Sequence, residues 1–121
     1  MEIYFKKQPS ELSERSRAKA DRNLQKLSRY IREGNYETRV EVDVVRESSA
    51  HNAPDEWKAN IHLDVAGDRF NSSARAKTIE RAIALATVEL KTELQQAKEK
   101  NTDAVRRRLS IWELFQDRLN T

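Results

Sequence analysis

The sequence predicts an α+β fold. The expected form is a β-α-β-β-β-α two-layer sandwich: a four-stranded mixed sheet with two long helices on one face, plus a C-terminal tail helix. Three observations point there. Apolar residues alternate at period 2 through the middle of the chain. They recur at helical spacing in two long flanking segments. The chain has 121 residues and is 37% hydrophobic, which suits one modest core.

The elements follow in order. Met1 to Lys7 reads as a short strand with Ile3 and Phe5 on one side. Pro9 interrupts it. Ser10 is placed to cap a helix whose first turn holds Glu11 and Glu14, where negative charge suits the dipole. That helix is expected to reach about Glu33 and to bury Leu12, Ser16, Ala20, Leu24, Leu27 and Ile31. Gly34 and Asn35 stop it. Over 36–47, Tyr36, Thr38, Val40, Val42 and Val44 oppose Glu37, Arg39, Glu41 and Asp43, a strand with one wet face. A polar loop follows over 48–55. Trp57, Ala59, Ile61, Leu63 and Val65 then mark another half-buried strand. Ala66-Gly67-Asp68 reads as a hairpin turn, and 69–75 as a shorter strand with Phe70, Ser72 and Ala74 inward. Thr78 caps a second long helix, striped by Ile79, Ile83, Ala86, Leu90, Leu94 and Ala97. The polar break at 101–103 precedes a helical pattern over 104–119. The expected organisation is one α+β domain over 1–100 and a linker with an amphipathic tail helix over 101–121.

Composition removes several classes of function. With no cysteine there are no disulfides, no Cys-ligated metal and no thiol catalysis. No stretch approaches the roughly 18 apolar residues of a membrane span. The segment MEIYFKKQPS lacks the pattern of a signal peptide, so the expected compartment is the cytoplasm. Two glycines cannot build a phosphate-cradling loop. His51 and His62 have no ligands at metal spacing, and the carboxylates Glu37, Glu41 and Asp43 solvate one strand face. No enzyme activity, cofactor, metal or small-molecule substrate is expected.

Charge is distributed unevenly. Residues 1–33 hold nine Lys/Arg against five Asp/Glu, residues 34–74 hold four against eight, and residues 75–121 hold ten against seven. Basic ends around an acidic middle suggest one positive and one negative face. The sheet's open face is expected to be the acidic one. The sharpest positive feature is on the first helix. Arg15, Lys19, Arg22, Lys26 and Arg29 step by 4, 3, 4 and 3. At about 100° per residue they form one ridge, away from the apolar stripe. No acid interrupts it, and like charges at this spacing cost helix stability, so a polyanion contact explains it better than solvation does. Arg75 and Lys77 enter the second helix, where free N–H groups favour anions. Lys91 extends the positive charge along that helix. In the tail, Arg107, Trp112 and Phe115 belong to a basic apolar helix that would dock on its own domain, a second copy, a partner groove or a membrane surface.

The element order and the segment Asp21-Arg22-Asn23-Leu24-Gln25-Lys26-Leu27-Ser28-Arg29-Tyr30 resemble the ribosome hibernation-promoting factors, also called ribosome-associated inhibitors. The strand pair, the late hairpin, Ala82-Ile83 and Leu90 to Leu94 agree, so the resemblance spans about residues 1–100, as in short members. It implies a cytoplasmic stress-response factor that binds the small ribosomal subunit in its decoding channel and blocks translation. Carried over, Arg22, Lys26 and Arg29 would contact rRNA phosphate. The second helix is diverged. Thr78 and Glu80 stand where the family favours Asp-x-Tyr before Ala-Ile, and Glu89, Thr92 and Gln96 stand where it favours Lys, Arg and Lys. Either the RNA contacts shift to Arg75, Lys77 and Lys91, or the fold is kept and the ribosome role altered. Two alternatives stand beside this reading. One is a protein–protein adaptor or homodimer built on the tail. The other is a double-stranded-RNA module, suggested by the β-β-β-α portion and the basic run 73–77.

Overall fold

The computed structural model describes residues 1–7, 9–31, 38–47, 56–65 and 68–97. Its strands are β1 (Glu2–Phe5), β2 (Thr38–Glu47), β3 (Glu56–Val65) and β4 (Asp68–Ala76). Helix α1 covers Glu14–Gln25 and continues as a 3-10 turn over Lys26–Tyr30. Helix α2 occupies 79–97. The four strands form one sheet in the order β1-β2-β3-β4. The β2/β3 and β3/β4 pairs are antiparallel, while β1 lies parallel to β2, so the sheet is mixed. A parallel pair needs a crossover, and α1 is that crossover.

Period 2 decides which side chains face the helices. Val40, Val42, Val44, Ala59, Ile61 and Leu63 are buried, with Ile3, Phe5, Trp57, Phe70 and Ala74 packed against them. Onto this face α1 places Ala20 and Leu24, and the 3-10 turn adds Leu27. Helix α2 places Ile79, Ala82, Ile83, Ala86, Leu90 and Leu94. Together these make one core between two layers. Its centre is dry: Leu24, Ile61, Leu63 and Leu90 are at most 1% exposed. Ser72 is the buried polar exception among the described residues, and its Oγ donates to the Ala86 carbonyl at 2.8 Å. A small side chain there lets α2 come close to β4, and the hydrogen bond offsets the burial of its hydroxyl.

The start of α1 departs from the expectation. Ser13, not Ser10, is the cap: its backbone is extended, at φ −69 and ψ 156, and its Oγ accepts from the Ser16 N–H at 3.1 Å. Pro9 to Leu12 forms a separate turn instead, with the Leu12 N–H donating to the Pro9 carbonyl at 2.9 Å. That turn packs Leu12 against the core before the helix begins. Only Glu14 is left in the first turn. The far end also differs, since the last turn tightens from α to 3-10. Three residues per turn align Leu27 with Tyr30 on the core side, and the backbone then turns extended at Ile31. Thr78 caps α2 as expected, its Oγ1 accepting from the Arg81 N–H at 3.2 Å. The tail helix expected over 104–119, His51, Tyr36 and the 66–67 turn lie outside the described residues.

Candidate nucleic-acid interface

The five cations of the ridge are all exposed on the solvent side of α1 and its 3-10 extension. Among the described residues none of them takes part in an ion pair. Arg15 is the second residue after the Ser13 cap. A cation there opposes the positive end of the helix dipole, so stability does not explain its presence. Lys26 and Arg29 sit in the 3-10 turn, where residues three apart eclipse each other. The tightening therefore stacks these two cations along the ridge. Arg17, by contrast, leaves the ridge and lies 5.2 Å from the centre of the Phe5 ring, covering the end of β1.

Of the three cations expected elsewhere, Lys91 joins the ridge best. Its Nζ lies 5.8 Å from the centre of the Tyr30 ring, which brings it beside the turn bearing Lys26 and Arg29. Lys77 is exposed in the link between β4 and α2. Arg75 is separated from it. Strand β4 continues through Ala76, so Arg75 still obeys the strand alternation and lies on the open face of the sheet. Its Nε is 3.0 Å from Glu47 Oε2. Continuing the alternation of Phe70, Ser72 and Ala74 by two residues would have found this. Arg107, Trp112 and Phe115 lie outside the described residues.

The open face is not uniformly acidic, which corrects the sequence expectation. Register brings Glu2, Arg39, Asp64 and Arg69 into one row across the four strands, alternating in sign. Lys58 and Arg75 are both matched to Glu47, with Lys58 Nζ 4.0 Å from Glu47 Oε1. Lys6 Nζ is 4.0 Å from Glu41 Oε1. Arg39 also covers the Tyr4 ring at 4.6 Å. His62 is exposed and hydrogen-bonds Asn71 on the neighbouring strand. Arg39, Glu41, His62, Asp64, Arg69 and Asn71 border a shallow hollow of about 540 Å³, in which two cations balance two carboxylates. Among the described residues no group of His, Asp and Glu is arranged to hold a metal ion.

A feature that the sequence did not reveal lies between the helices. Arg15 and Lys19 of α1 face Glu80 of α2 across a groove of about 290 Å³. Helical periodicity orders each helix internally, but it does not say which residues of two helices meet.

The sequence profile described as "Sigma 54 modulation protein / S30EA ribosomal protein" matches residues 3–102. The chain belongs to this family. Its members are ribosome-associated modulation and hibernation factors, a non-enzymatic class, as the first-helix motif suggested. Solved structures share the fold of this family member. The N-terminal domain of Thermus thermophilus Protein Y is 18% identical, with a TM-score of 0.55. The match covers 78% of this chain and 93% of that one. A ribosomal subunit interface protein from Coxiella burnetii is 13% identical, with a TM-score of 0.53 over 81% of this chain and 96% of the other. No curated protein matches this sequence. Among the described residues no helix is long and apolar enough to cross a membrane.

Proposed function

We propose that this S30EA-family protein binds the small ribosomal subunit by laying the α1 ridge along rRNA phosphates, and that it silences translation in resting cells by occupying the decoding channel. The observation that carries this is the ridge itself: five exposed cations with no acidic partner among the described residues. Phosphate contacts need point charges and forks at regular spacing and no particular base sequence, which is what a helical row of Arg and Lys offers. Lys91 adds to the ridge from α2, and the exposed Lys77 stands just before α2. Arg75 remains on the sheet face with Glu47 and is not needed for the contact. The protein acts in the cytoplasm, where ribosomes are, and takes no cofactor.

The test is co-sedimentation of the full chain with small subunits across a salt series. Wild type should pellet at low salt and release as salt rises. The triple variant Arg22→Glu, Lys26→Glu, Arg29→Glu should stay in the supernatant. Wild type that never co-sediments at low salt overturns the reading. Deleting 104–121 should leave binding intact. If it abolishes binding while the ridge variant still pellets, the contact belongs to the tail bearing Arg107, Trp112 and Phe115, as a protein partner or a second copy would require.

A further inference from the structure

Between the outer flanks of α1 and α2 lies the groove of about 290 Å³. Its floor is formed by the buried Ala20 of α1 and Ile83 of α2, with the half-buried hydroxyl side chains Ser16 and Thr87 beside them and the exposed Ala84 at its mouth. Arg15 and Lys19 stand along one rim, and Asn23 continues that rim. The opposite rim carries Glu80. The groove runs beside the ridge, because Arg15 and Lys19 belong to both.

We propose that this groove receives a single unstacked base of the bound RNA, one that carries an exocyclic amino group. The inference rests on the RNA-binding reading of the ridge and adds a base-specific contact to it. Three features select a base over a phosphate. First, Glu80 repels a phosphate but accepts a hydrogen bond from an amino group, as carboxylates do from cytosine. Second, the Asn23 amide offers a donor and an acceptor together, which suits the edge of a base. Third, the floor has no formal charge, and alanine at two positions lets a flat ring approach the helix backbones. Arg15 and Lys19, unpaired among the described residues, then hold the phosphates that flank the base. Proteins that recognise RNA by sequence usually read splayed-out bases of single-stranded loops in this way. A duplex would present its shallow groove to the ridge and leave this space empty.

The same geometry accounts for Glu80 within an otherwise basic approach. On phosphate binding alone that carboxylate works against the ridge. As the acceptor for a base it contributes to selectivity, since a base without an amino group leaves it desolvated and less well satisfied.

The test fills the groove without changing charge. Ala84 is exposed on α2, so Ala84→Phe is compatible with folding, and Ala84→Ser serves as the near-isosteric control. Full-length protein is bound to small ribosomal subunits, and the rRNA is probed with dimethyl sulfate, which reads adenine and cytosine, and with kethoxal, which reads guanine. Wild type and Ala84→Ser should protect one unpaired amino-bearing base. Ala84→Phe should leave that base reactive, keep the surrounding backbone protections, and bind about tenfold more weakly, the size of one lost charge-assisted hydrogen bond. Its affinity should fall with salt at the wild-type slope, because no cation has been removed. The groove proposal is overturned if Ala84→Phe keeps every protection and full affinity, or if wild type protects no such base. Failure of the ridge reading looks different: wild type would not bind small subunits at all, or Arg22→Glu, Lys26→Glu, Arg29→Glu would bind unchanged. The first of these removes both ideas, and the second leaves the groove to be judged by its own protections.

Discussion

The helix layer and the open face of the sheet draw on the same charged residue types and arrange them to opposite ends. On the sheet, Lys58 and Arg75 share Glu47, Lys6 meets Glu41, and signs alternate along the row from Glu2 to Arg69. On α1, Arg15, Lys19, Arg22, Lys26 and Arg29 follow one another with no acid between them on that face, and none is paired among the described residues. A paired, alternating face has little field at a distance, while an unpaired row projects a positive potential and attracts a polyanion. The difference teaches that total charge is a poor guide here. The chain carries only +3 overall, and its arrangement leaves an unpaired positive row on one side of the sandwich and balanced charge on the other.

The sharpest way to break the comparison is to move charge between the faces. The triple reversal at Arg22, Lys26 and Arg29 should cost at least a hundredfold in small-subunit affinity near 100 mM salt, since each lost phosphate contact lowers the salt slope by about 0.7–0.9. Neutralising Lys58 and Arg75 on the sheet should change affinity less than twofold in the same assay. Next in size is a change that separates the layers. Leu24→Ala leaves a hole in the centre of the core and should lower unfolding free energy by about 2–5 kcal/mol in urea denaturation. Smaller again is Ser72→Ala, which removes the buried hydrogen bond from β4 to the Ala86 carbonyl, leaves that carbonyl its bond within α2, and should cost about 1–1.5 kcal/mol. Ser13→Ala should cost about 1 kcal/mol in the same titration while Ser10→Ala stays near zero. Equal effects at the two serines would show that the helix starts earlier than the structure has it. Last, Glu47→Gln weakens two surface ion pairs, to Lys58 and to Arg75, and should move stability by no more than about 0.5 kcal/mol.

Much of the fold was legible because its signals are periodic. The alternation through Val40, Val42 and Val44, and again through Ala59, Ile61 and Leu63, marks the inner face of a sheet and admits few other readings. The α2 stripe was equally clear, and only Ala82 was missing from it. Single-residue features were less legible. Ser10 and Ser13 each precede a glutamate, and what chooses between them is the Pro9 turn that tucks Leu12 under the sheet, a tertiary contact. The open face was misjudged for a similar reason. Counting acids along β2 and β3 ignores Arg69 and Arg75 on β4, which register sets beside them. The exposure and spacing of the five ridge cations were legible, since one continuous segment, α1 with its 3-10 turn, carries them. The groove needed two helices in their places.

One feature of the sheet bears on when the protein becomes competent. Strands β2, β3 and β4 pair with neighbours in the chain, so their contacts are local and form early. The β1/β2 pair is parallel and closes a loop that contains the whole of α1. A chain still emerging during synthesis can hold all five ridge residues and yet lack the floor that presents them, because α1 has no core to lie on until β2 and β3 exist. Native-state hydrogen exchange should therefore find the amides of Tyr4 and Lys6, which face β2, opening before those of Ile61 and Leu63. A protein made by the machine it is proposed to silence would in this way withhold its grip until the later strands have been made.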